Sequence, residues 1–433
     1  MSPETVGVIG IVIMLALFFL GMPVGAAFII AGFVGFGYIG GMEEAYSVLS
    51  MSAYRTSTTY MLTVIPLFIL MGILAAHSGL SGDAFYSINR WVGHLPGGLA
   101  MATVGGCTAF GAVCGSAMAA AVTMCSAALP EMRRYHYKDE LSLGCIAAGG
   151  NLSFLIPPSI AFIIYAILTE LSIGTLFIAG ILPGILMALL FVITIFIQCR
   201  LSPSLASAGP KASWGEQIRS LRLVWGFVVL ILLVLGGIYG GVFTPTEAAA
   251  IGVFGTAVLG LIKRKLSWHV VTESIKETTQ LTGMIFLLII GAIIFSTFMT
   301  VTELPLVLAN FIVQLAVSPW VILGIVLIFF IIMGFIFEIM AVILLAIPIL
   351  HPVLVSLGFD PIWLGVLTII TVVMGNISPP FGIIVFAIGG AVKEVPLFTI
   401  FRGALPFLAA MAVGLILVII FPEIALLLPN LMK

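Results

Sequence analysis

Charged side chains are scarce in this sequence. Only 8% of the 433 residues are Asp, Glu, Lys or Arg, whereas about 25% is usual for a soluble domain. So few charges cannot cover the water-facing surface of a core of this size. The composition therefore excludes a soluble enzyme, a nucleic-acid-binding protein and a disordered chain. Because 62% of the residues are apolar and apolar runs recur from end to end, the sequence predicts a polytopic membrane protein.

Cysteine and catalytic motifs are sparse as well. The five cysteines form no CxxC pair and no histidine lies at ligand spacing from them, so we expect small buried packing residues. The sequence contains no Walker A, GxSxG or HExxH motif, so it does not support ATP hydrolysis or proteolysis. We therefore predict that the protein is not an enzyme. Apolar runs such as Ile11–Leu20 lack the period-two alternation of barrel strands, which favours an all-α fold.

Hydropathy predicts ten membrane-spanning segments. They are 5–20, 24–40, 58–77, 141–169, 174–199, 223–240, 245–262, 278–301, 361–392 and 397–425. Two other apolar stretches, 97–129 and 320–357, are interrupted by small or polar residues, at Gly111–Ser116 and Gly334–Glu338. We interpret both as re-entrant helical hairpins, because irregular backbone at membrane depth requires surrounding protein or a water-filled cavity.

Several landmarks recur at a spacing of 221 to 225 residues, which indicates an internal repeat. The paired landmarks are Pro23 and Pro245, Asp139 and Asp360, Asn151 and Asn376, and the amphipathic segments Asp83–Trp91 and Leu304–Leu315. Each repeat has five full spans. Because five is odd, the second repeat must lie inverted relative to the first, which is a transporter architecture.

The charges of the loops predict the orientation. The loop 131–140 contains Arg133, Arg134 and Lys138, whereas the equivalent loop 351–361 contains no Lys or Arg. The positive-inside rule places the first loop in the cytoplasm and the second outside. Ten crossings then leave both termini outside. The polar segment 201–222 is expected to connect the repeats in the cytoplasm, and Lys263–Glu277 is expected to form an interfacial amphipathic stretch.

The most informative residues lie in two spans that proline pairs interrupt. The first span contains Gly149 to Ser159 with Pro157 and Pro158, and the second contains Gly375 to Gly382 with Pro379 and Pro380. A proline pair cannot donate backbone hydrogen bonds and excludes the preceding residue from the helical region, so each helix should unwind and release carbonyl groups. These carbonyls, with Asn and Ser oxygens, favour a small hard cation such as Na⁺. The alternative is a structural proline kink.

The hairpin tips would form the opposite wall of the site. Half-helix N-termini at the tips and after the proline pairs present free N–H groups, which could hold a carboxylate without a buried arginine. The residues for such a substrate are Gly115, Ser116, Ser159, Pro379 and Pro380. Glu338, at the second tip, is a candidate for gating, coupling or cation binding, because intramembrane acids are usually functional. A structural hydrogen bond is the alternative. For Glu247 we predict a capping box with Thr244.

These motifs resemble the large membrane subunit of tripartite ATP-independent periplasmic (TRAP) transporters. The matching segments are the two broken helices, Pro66–Gly72, Ile181–Ile185 and Thr244–Ala249. The resemblance implies a bacterial inner-membrane, Na⁺-coupled importer of organic acids, such as sialic acid or C4-dicarboxylates. Its implied partners are a small four-helix membrane subunit, a periplasmic solute-binding protein and membrane lipids. No nucleic acid is expected.

The resemblance also implies an elevator mechanism and a division of the chain. Residues 1–96 and 223–317 would form the scaffold with two interfacial arm helices, and 201–222 the connector. The moving transport domain would comprise 97–200 (hairpin 97–129, broken helix 141–169, helix 174–199) and 318–433 (hairpin 320–357, broken helix 361–392, helix 397–425). By resemblance, the Na⁺ ligands would be Ser116, Gly149, Asn151, Ser153 and Pro157 in one half, and Gly334, Gly375, Asn376 and Ser378 in the other.

Two other functions remain open at this point. One is a stand-alone Na⁺-coupled dicarboxylate or citrate transporter, which would need no binding protein. The other is an ion channel with two re-entrant pore loops, although the hairpins carry no repeated selectivity ring.

Overall fold

The computed structural model describes residues 1–207, 209, 211–305, 307 and 317–432. This part of the chain is helical and contains no strand, so the predicted all-α fold class is confirmed. Its helices are α1 Pro3–Phe19, α2 Val24–Gly40, α3 Met42–Thr58, α4 Val64–His77, α5 Leu80–Val92, α6 Gly98–Cys114, α7 Ala117–Ala127, α8 Leu129–Arg134, α9 Asp139–Asn151, α10 Ile160–Thr169, α11 Ile173–Leu201, α12 Trp214–Tyr239, α13 Pro245–Ile262, α14 Trp268–Val301, α15 Pro319–Ile336, α16 Ile339–Ser356, α17 Pro361–Ile377, α18 Ile383–Ala391, α19 Leu397–Ile420 and α20 Glu423–Leu431.

The helices have the length and composition of membrane spans. Within the described residues, eight helical segments are long and apolar enough to cross a membrane, and shorter apolar helices such as α2 and α17 accompany them. The predicted spans 24–40 and 245–262 coincide with α2 and α13. The capping box predicted for Thr244 and Glu247 is present, and all five cysteines are free and buried, as expected.

Two predicted hairpins are observed as helix pairs with a short turn. The pair α6/α7 turns at Gly115 and Ser116, and the pair α15/α16 turns at Phe337 and Glu338. Both turns are shorter than the interruptions read from the sequence, because Gly111 and Gly334 lie inside helices. There the two glycines provide room for a neighbouring backbone rather than a turn.

The two broken helices run antiparallel, side by side. Near the start of α9, Arg133 binds Asp139 and Glu394, which follows α18. Near the end of α10, the Tyr165 hydroxyl donates to the carbonyl of Pro361, the first residue of α17, at 3.2 Å. The first broken helix therefore begins where the second ends and ends where the second begins. This is the inverted arrangement that the odd number of spans predicted.

Helices from different repeats alternate through the core. Helix α2 packs along α14, and α13 packs along α4. Because α13 and the second part of α14 lie about 222 residues after α2 and α4, the same pair of equivalent helices occurs twice. The seams are close: a Cβ atom on Gly25 would lie 2.9 Å from the carbonyl oxygen of Leu287. Small residues permit this approach of backbones in membranes.

Charge divides the bundle into two ends. The basic end contains Arg133, Glu394 and the ion pair of Lys263 with Asp83. The acidic end contains Tyr165 and Asp360, and it also has Glu4, Glu43, Glu44, Glu170, Glu247, Glu303 and Glu423. Among the described residues, Arg55 is the single Lys or Arg at the acidic end, whereas the sequence has 16 in total.

Four boundaries differ from the sequence-based predictions. Helix α3 was missed because its residues are polar; it aligns with the start of α14 at the repeat spacing. The connector is shorter than 201–222, because a capping box of Ser213 and Glu216 starts α12. The stretch 263–277 is not a separate interfacial segment, since Ser267 caps α14 and Trp268 begins it. The last span ends at Ile420 instead of 425, where Pro422 separates α19 from α20.

The first arm helix, predicted at Asp83–Trp91, is α5 with one or more extra residues at each end. The second, predicted at Leu304–Leu315, lies for the most part outside the described residues. The division into scaffold and transport domains stays a prediction.

The contact between α9 and α19 generates a stability prediction. A Cβ atom on Gly403 would overlap the carbonyl oxygen of Glu140, whereas Gly390 in α18 has nothing within 4 Å. We expect Gly403→Ala to separate α9 from α19 and to cost about 1–3 kcal/mol, the usual range for overpacking. Gly390→Ala is the matched control and should be neutral or slightly stabilising. Thermal unfolding of the detergent-solubilised protein measures both, and equal midpoints would contradict the close contact.

Candidate functional site

The first break, residues 152–159, is fully buried. It contains a 3₁₀ turn at Leu152–Phe154 and a cis peptide bond between Pro157 and Pro158. Ser159 caps α10: its hydroxyl donates to the carbonyl of Phe154 at 2.5 Å and accepts from the amide of Phe162 at 3.4 Å. The proline pair thus ends one helix, and Ser159 starts the next in the same span, as the sequence predicted.

Two polar side chains at this break have unpartnered oxygens. Asn151, the last residue of α9, is fully buried, and its amide nitrogen donates to the carbonyl of Val373 at 2.7 Å. Neither the Oδ1 atom of Asn151 nor the buried Oγ atom of Ser153 has a hydrogen-bond partner. A buried acceptor without a donor destabilises a protein unless a water or an ion occupies its lone pairs.

The first hairpin closes over this break. A Cβ atom on Gly111 in α6 would lie 2.5 Å from the Ser153 Oγ atom, and one on Gly115 would lie 2.8 Å from the carbonyl oxygen of Pro158. Gly115 adopts a left-handed conformation (φ +60°), which glycine tolerates best. Gly149 in α9 faces Cys107 of the same hairpin. Tip and break therefore share one small volume.

The second break, residues 378–382, repeats the chemistry in the opposite direction. The Oδ1 atom of buried Asn376 has no partner, and the Ser378 hydroxyl donates to the carbonyl of Met374 at 2.7 Å. The second hairpin lies directly against α17: a Cβ atom on Gly334 would be 2.5 Å from the carbonyl oxygen of Val372, and one on Gly375 would be 2.5 Å from that of Ile331. Pro379 and Pro380 are again joined by a cis peptide bond.

The donor set at the two breaks is neutral and consists of oxygens. Within the described residues, no group of three or more His, Cys, Asp or Glu side chains could hold a metal ion. Carbonyl, amide and hydroxyl oxygens without thiolate or imidazole suit a hard cation of low charge rather than a transition metal. The three orphaned oxygens of Asn151, Ser153 and Asn376 therefore fit an ion such as Na⁺.

The two breaks differ in exposure. Pro157, Pro158 and Ser159 are buried, whereas Pro379 and Pro380 are exposed and Phe381 has 57% of its surface accessible. Of the predicted substrate-binding residues, Gly115 and Ser159 meet at the first break, and half-buried Ser116 caps α7. Pro379 and Pro380 lie at the second break, and α18, which follows them, packs on α7. The first hairpin thus contacts both breaks.

Glu338 has a structural role that the sequence did not reveal. Its carboxylate caps α16 by accepting from the amides of Met340 at 2.8 Å and Ala341 at 3.4 Å. Ser116 caps α7 in the same way and lies 222 residues earlier, so the two residues are repeat equivalents. One hairpin tip therefore carries a neutral hydroxyl and the other a half-buried carboxylic group.

An ion-pair network holds the breaks in register from the basic end. The Arg133 guanidinium contacts both Asp139 oxygens, at 2.9 and 3.0 Å, and Glu394 at 2.8 Å. The bond from Arg133 lowers the pKa of the exposed Glu394 carboxyl, and the two carboxylates raise the pKa of Arg133. No local sequence pattern identifies this contact, because Arg133 and Glu394 are 261 residues apart.

Comparison with known proteins identifies the family. Residues 11–424 match the family described as "Tripartite ATP-independent periplasmic transporter, DctM component". The chain is 37% identical to the C4-dicarboxylate TRAP transporter large permease protein DctM of Pseudomonas aeruginosa, over 88% of this chain and 89% of the relative. It is 35% identical to the ectoine permease TeaC of Halomonas elongata, over 95% of each chain. It is 31% identical to the sialic acid permease SiaM of Vibrio cholerae, over 96% and 97%.

A solved structure shares the fold. The Alcanivorax borkumensis YdaH transporter, described as having an unusual topology, superposes with a TM-score of 0.63. It covers 90% of this chain and 88% of its own, at 18% sequence identity. At this identity the likeness shows the fold alone.

Proposed function

The chain belongs to the DctM component family of tripartite ATP-independent periplasmic transporters, and we propose that it is the large membrane subunit of a Na⁺-coupled importer of a small organic acid. The observation that carries the proposal is the pair of inverted helix breaks with orphaned buried oxygens, on Asn151, Ser153 and Asn376. The family assignment favours this function over a stand-alone transporter or a channel. Its relatives are named as permeases rather than enzymes.

We propose one Na⁺ site at each break. The first would use Ser116, Gly149, Asn151, Ser153 and Pro157, and the second Gly334, Gly375, Asn376 and Ser378. Support comes from the close approach of each hairpin to its break and from the absence of charged ligands, which suits a monovalent cation. Glu338 is the candidate for gating or coupling, since among the described residues it is the single acidic group at a hairpin tip or break.

The substrate is proposed to carry a carboxylate. C4-dicarboxylates, sialic acid and ectoine, which the names of the relatives give as their substrates, all have this group. The breaks and hairpin tips contain no Lys or Arg. The carboxylate would therefore bind amide groups at the starts of α7, α10 and α18, helped by the helix dipoles. Gly115, Ser116, Ser159, Pro379 and Pro380 border these helix starts.

The proposed location is the bacterial inner membrane, with the basic end in the cytoplasm. The accumulation of Lys and Arg at one end of the bundle supports this orientation, which leaves both termini in the periplasm. "Tripartite" names three components, so the proposed partners are a small four-helix membrane subunit and a periplasmic solute-binding protein. Lipids surround the exposed apolar helices.

An elevator movement is the proposed mechanism. Residues 97–200 and 318–433 would move as one body against 1–96 and 223–317. Two contacts would keep this body together, namely the Asn151–Val373 hydrogen bond and the Arg133–Glu394 ion pair. The exposed second break and the buried first break suit a site that opens at one end of the bundle at a time.

The ion site generates a substitution test. We expect Ser153→Ala to weaken Na⁺-dependent thermal stabilisation about tenfold in apparent affinity, because one ligand oxygen is lost at roughly the energy of a hydrogen bond to a charge. Stability without Na⁺ should change little, since Ser153 Oγ has no partner to lose. Ser274→Ala is the control: Ser274 is also buried and unpartnered, but it lies in α14. Identical Na⁺ titrations of both variants would contradict the site.

The transport proposal is tested with reconstituted vesicles. Uptake of the cognate acid should require an inward Na⁺ gradient, the small subunit and the binding protein together. Omission of any one should abolish accumulation. Undiminished uptake with K⁺ replacing Na⁺ on both sides would exclude Na⁺ coupling, and uptake without the binding protein would favour the stand-alone transporter.

A further inference from the structure

A second cavity lies far from the helix breaks, at the basic end. It has a volume of about 460 Å³ and is bounded by α5, the base of the first hairpin, α8 and the connector. Apolar residues such as Phe85 and Leu99 line part of it, and two charged residues, Arg90 and Glu131, also face it. None of these residues belongs to the proposed ion or substrate sites.

Arg90 is not paired within the described part of the chain. It forms no salt bridge there, and its Nε atom is buried without a hydrogen-bond partner. Its guanidinium lies 4.8 Å from the centre of the Tyr86 ring, which fixes its plane. Glu216 faces Arg90 from α12, but its carboxylate is engaged by the amide and hydroxyl of Ser213 at 2.9 and 3.1 Å. A buried guanidinium N–H without an acceptor is costly, and a planar, oriented guanidinium is suited to a phosphate.

The surroundings of the cavity match the depth of lipid headgroups. Trp91 and Trp214 meet edge to face beside it, with centroids 6.5 Å apart and exposed fractions of 39% and 74%. Exposed tryptophans of membrane proteins concentrate at the membrane–water interface. The cavity is therefore placed where the phosphate of a phospholipid lies, with exposed apolar helix surface beside it for the acyl chains.

Glu131 determines which headgroup fits. Its carboxylate is 3.9 Å from the exposed Arg134, a weak surface contact that leaves it available. A cavity with one cation and one anion is complementary to a headgroup that contains both a phosphate and an ammonium. A headgroup that is only anionic would place a second negative group near Glu131 without compensation.

We propose that this cavity binds the headgroup of a zwitterionic aminophospholipid, with its phosphate on Arg90 and its ammonium on Glu131. The bound lipid would connect α5 to the base of the first hairpin. On its other side α5 is attached to α12, by the Ser87–Ser220 hydrogen bond of 3.2 Å and by the bond from Gln217 to the Arg90 carbonyl at 3.3 Å. This binding site does not depend on the identity of the transported solute or on Na⁺ coupling.

Native mass spectrometry of the purified protein tests the proposal. The wild type, offered equal amounts of phosphatidylethanolamine and phosphatidylglycerol, should retain the ethanolamine lipid preferentially. Arg90→Gln should reduce its retention about tenfold or more, because a charge-assisted pair is lost. Arg219→Gln is the matched control, since Arg219 is an exposed arginine on α12 that does not line the cavity. Glu131→Gln should retain lipid but lose the preference for ethanolamine over glycerol headgroups.

Three outcomes would overturn the proposal. They are equal retention of both lipids by the wild type, equal loss in the Arg90 and Arg219 variants, and displacement of the lipid by soluble O-phosphoethanolamine at comparable concentration, which would identify a soluble ligand instead. The wild-type preference needs no variant. If Arg90→Gln does not fold, Arg90→Lys keeps the charge but lacks the planar fork, and it should retain the lipid at an intermediate level.

Discussion

The hydrogen bond from the Asn151 amide to the carbonyl of Val373 joins the two repeats at the level of their breaks. Inside a membrane, each backbone carbonyl released from a helix must find a partner within the protein. One side chain of the first broken helix provides that partner for the second. The same contact leaves the Asn151 side-chain oxygen without a donor. The neutral oxygen lining of the proposed ion site thus follows from the way in which two unwound helices are kept together.

The inverted symmetry is close in the backbone and incomplete in the chemistry. Equivalent helices form equivalent seams, and each hairpin lies against its own broken helix. The tips differ, because Ser116 caps one hairpin and Glu338 the other. Exposure differs too, since the first proline pair is buried and the second is accessible. An alternating-access transporter requires two such similar but unequal halves, because identical environments would not distinguish one end of the bundle from the other.

Much of the fold could be predicted from local signals. Apolar runs, proline pairs and the 222-residue spacing were sufficient for the spans, hairpins and breaks, because each is encoded within one stretch of sequence. Helix α3 was missed because a polar helix leaves no apolar run. The site was predictable only in part: Asn151 and Ser153 were identified as site candidates beside a proline pair, but Val373 has an ordinary apolar side chain and contributes its carbonyl. The Arg133–Glu394 pair depends on tertiary packing, which a hydropathy pattern does not contain.

The opposite orientation of the two repeats is the central claim, and cysteine accessibility in intact cells tests it most directly. Arg134→Cys and Ser356→Cys place an exposed thiol in each of the two equivalent loops, while the five native cysteines are buried. A membrane-impermeant maleimide added outside should label the thiol at position 356 and reach position 134 only after the membrane is opened. Labelling of both positions from the same side would contradict the inverted arrangement and the paired ion site that depends on it.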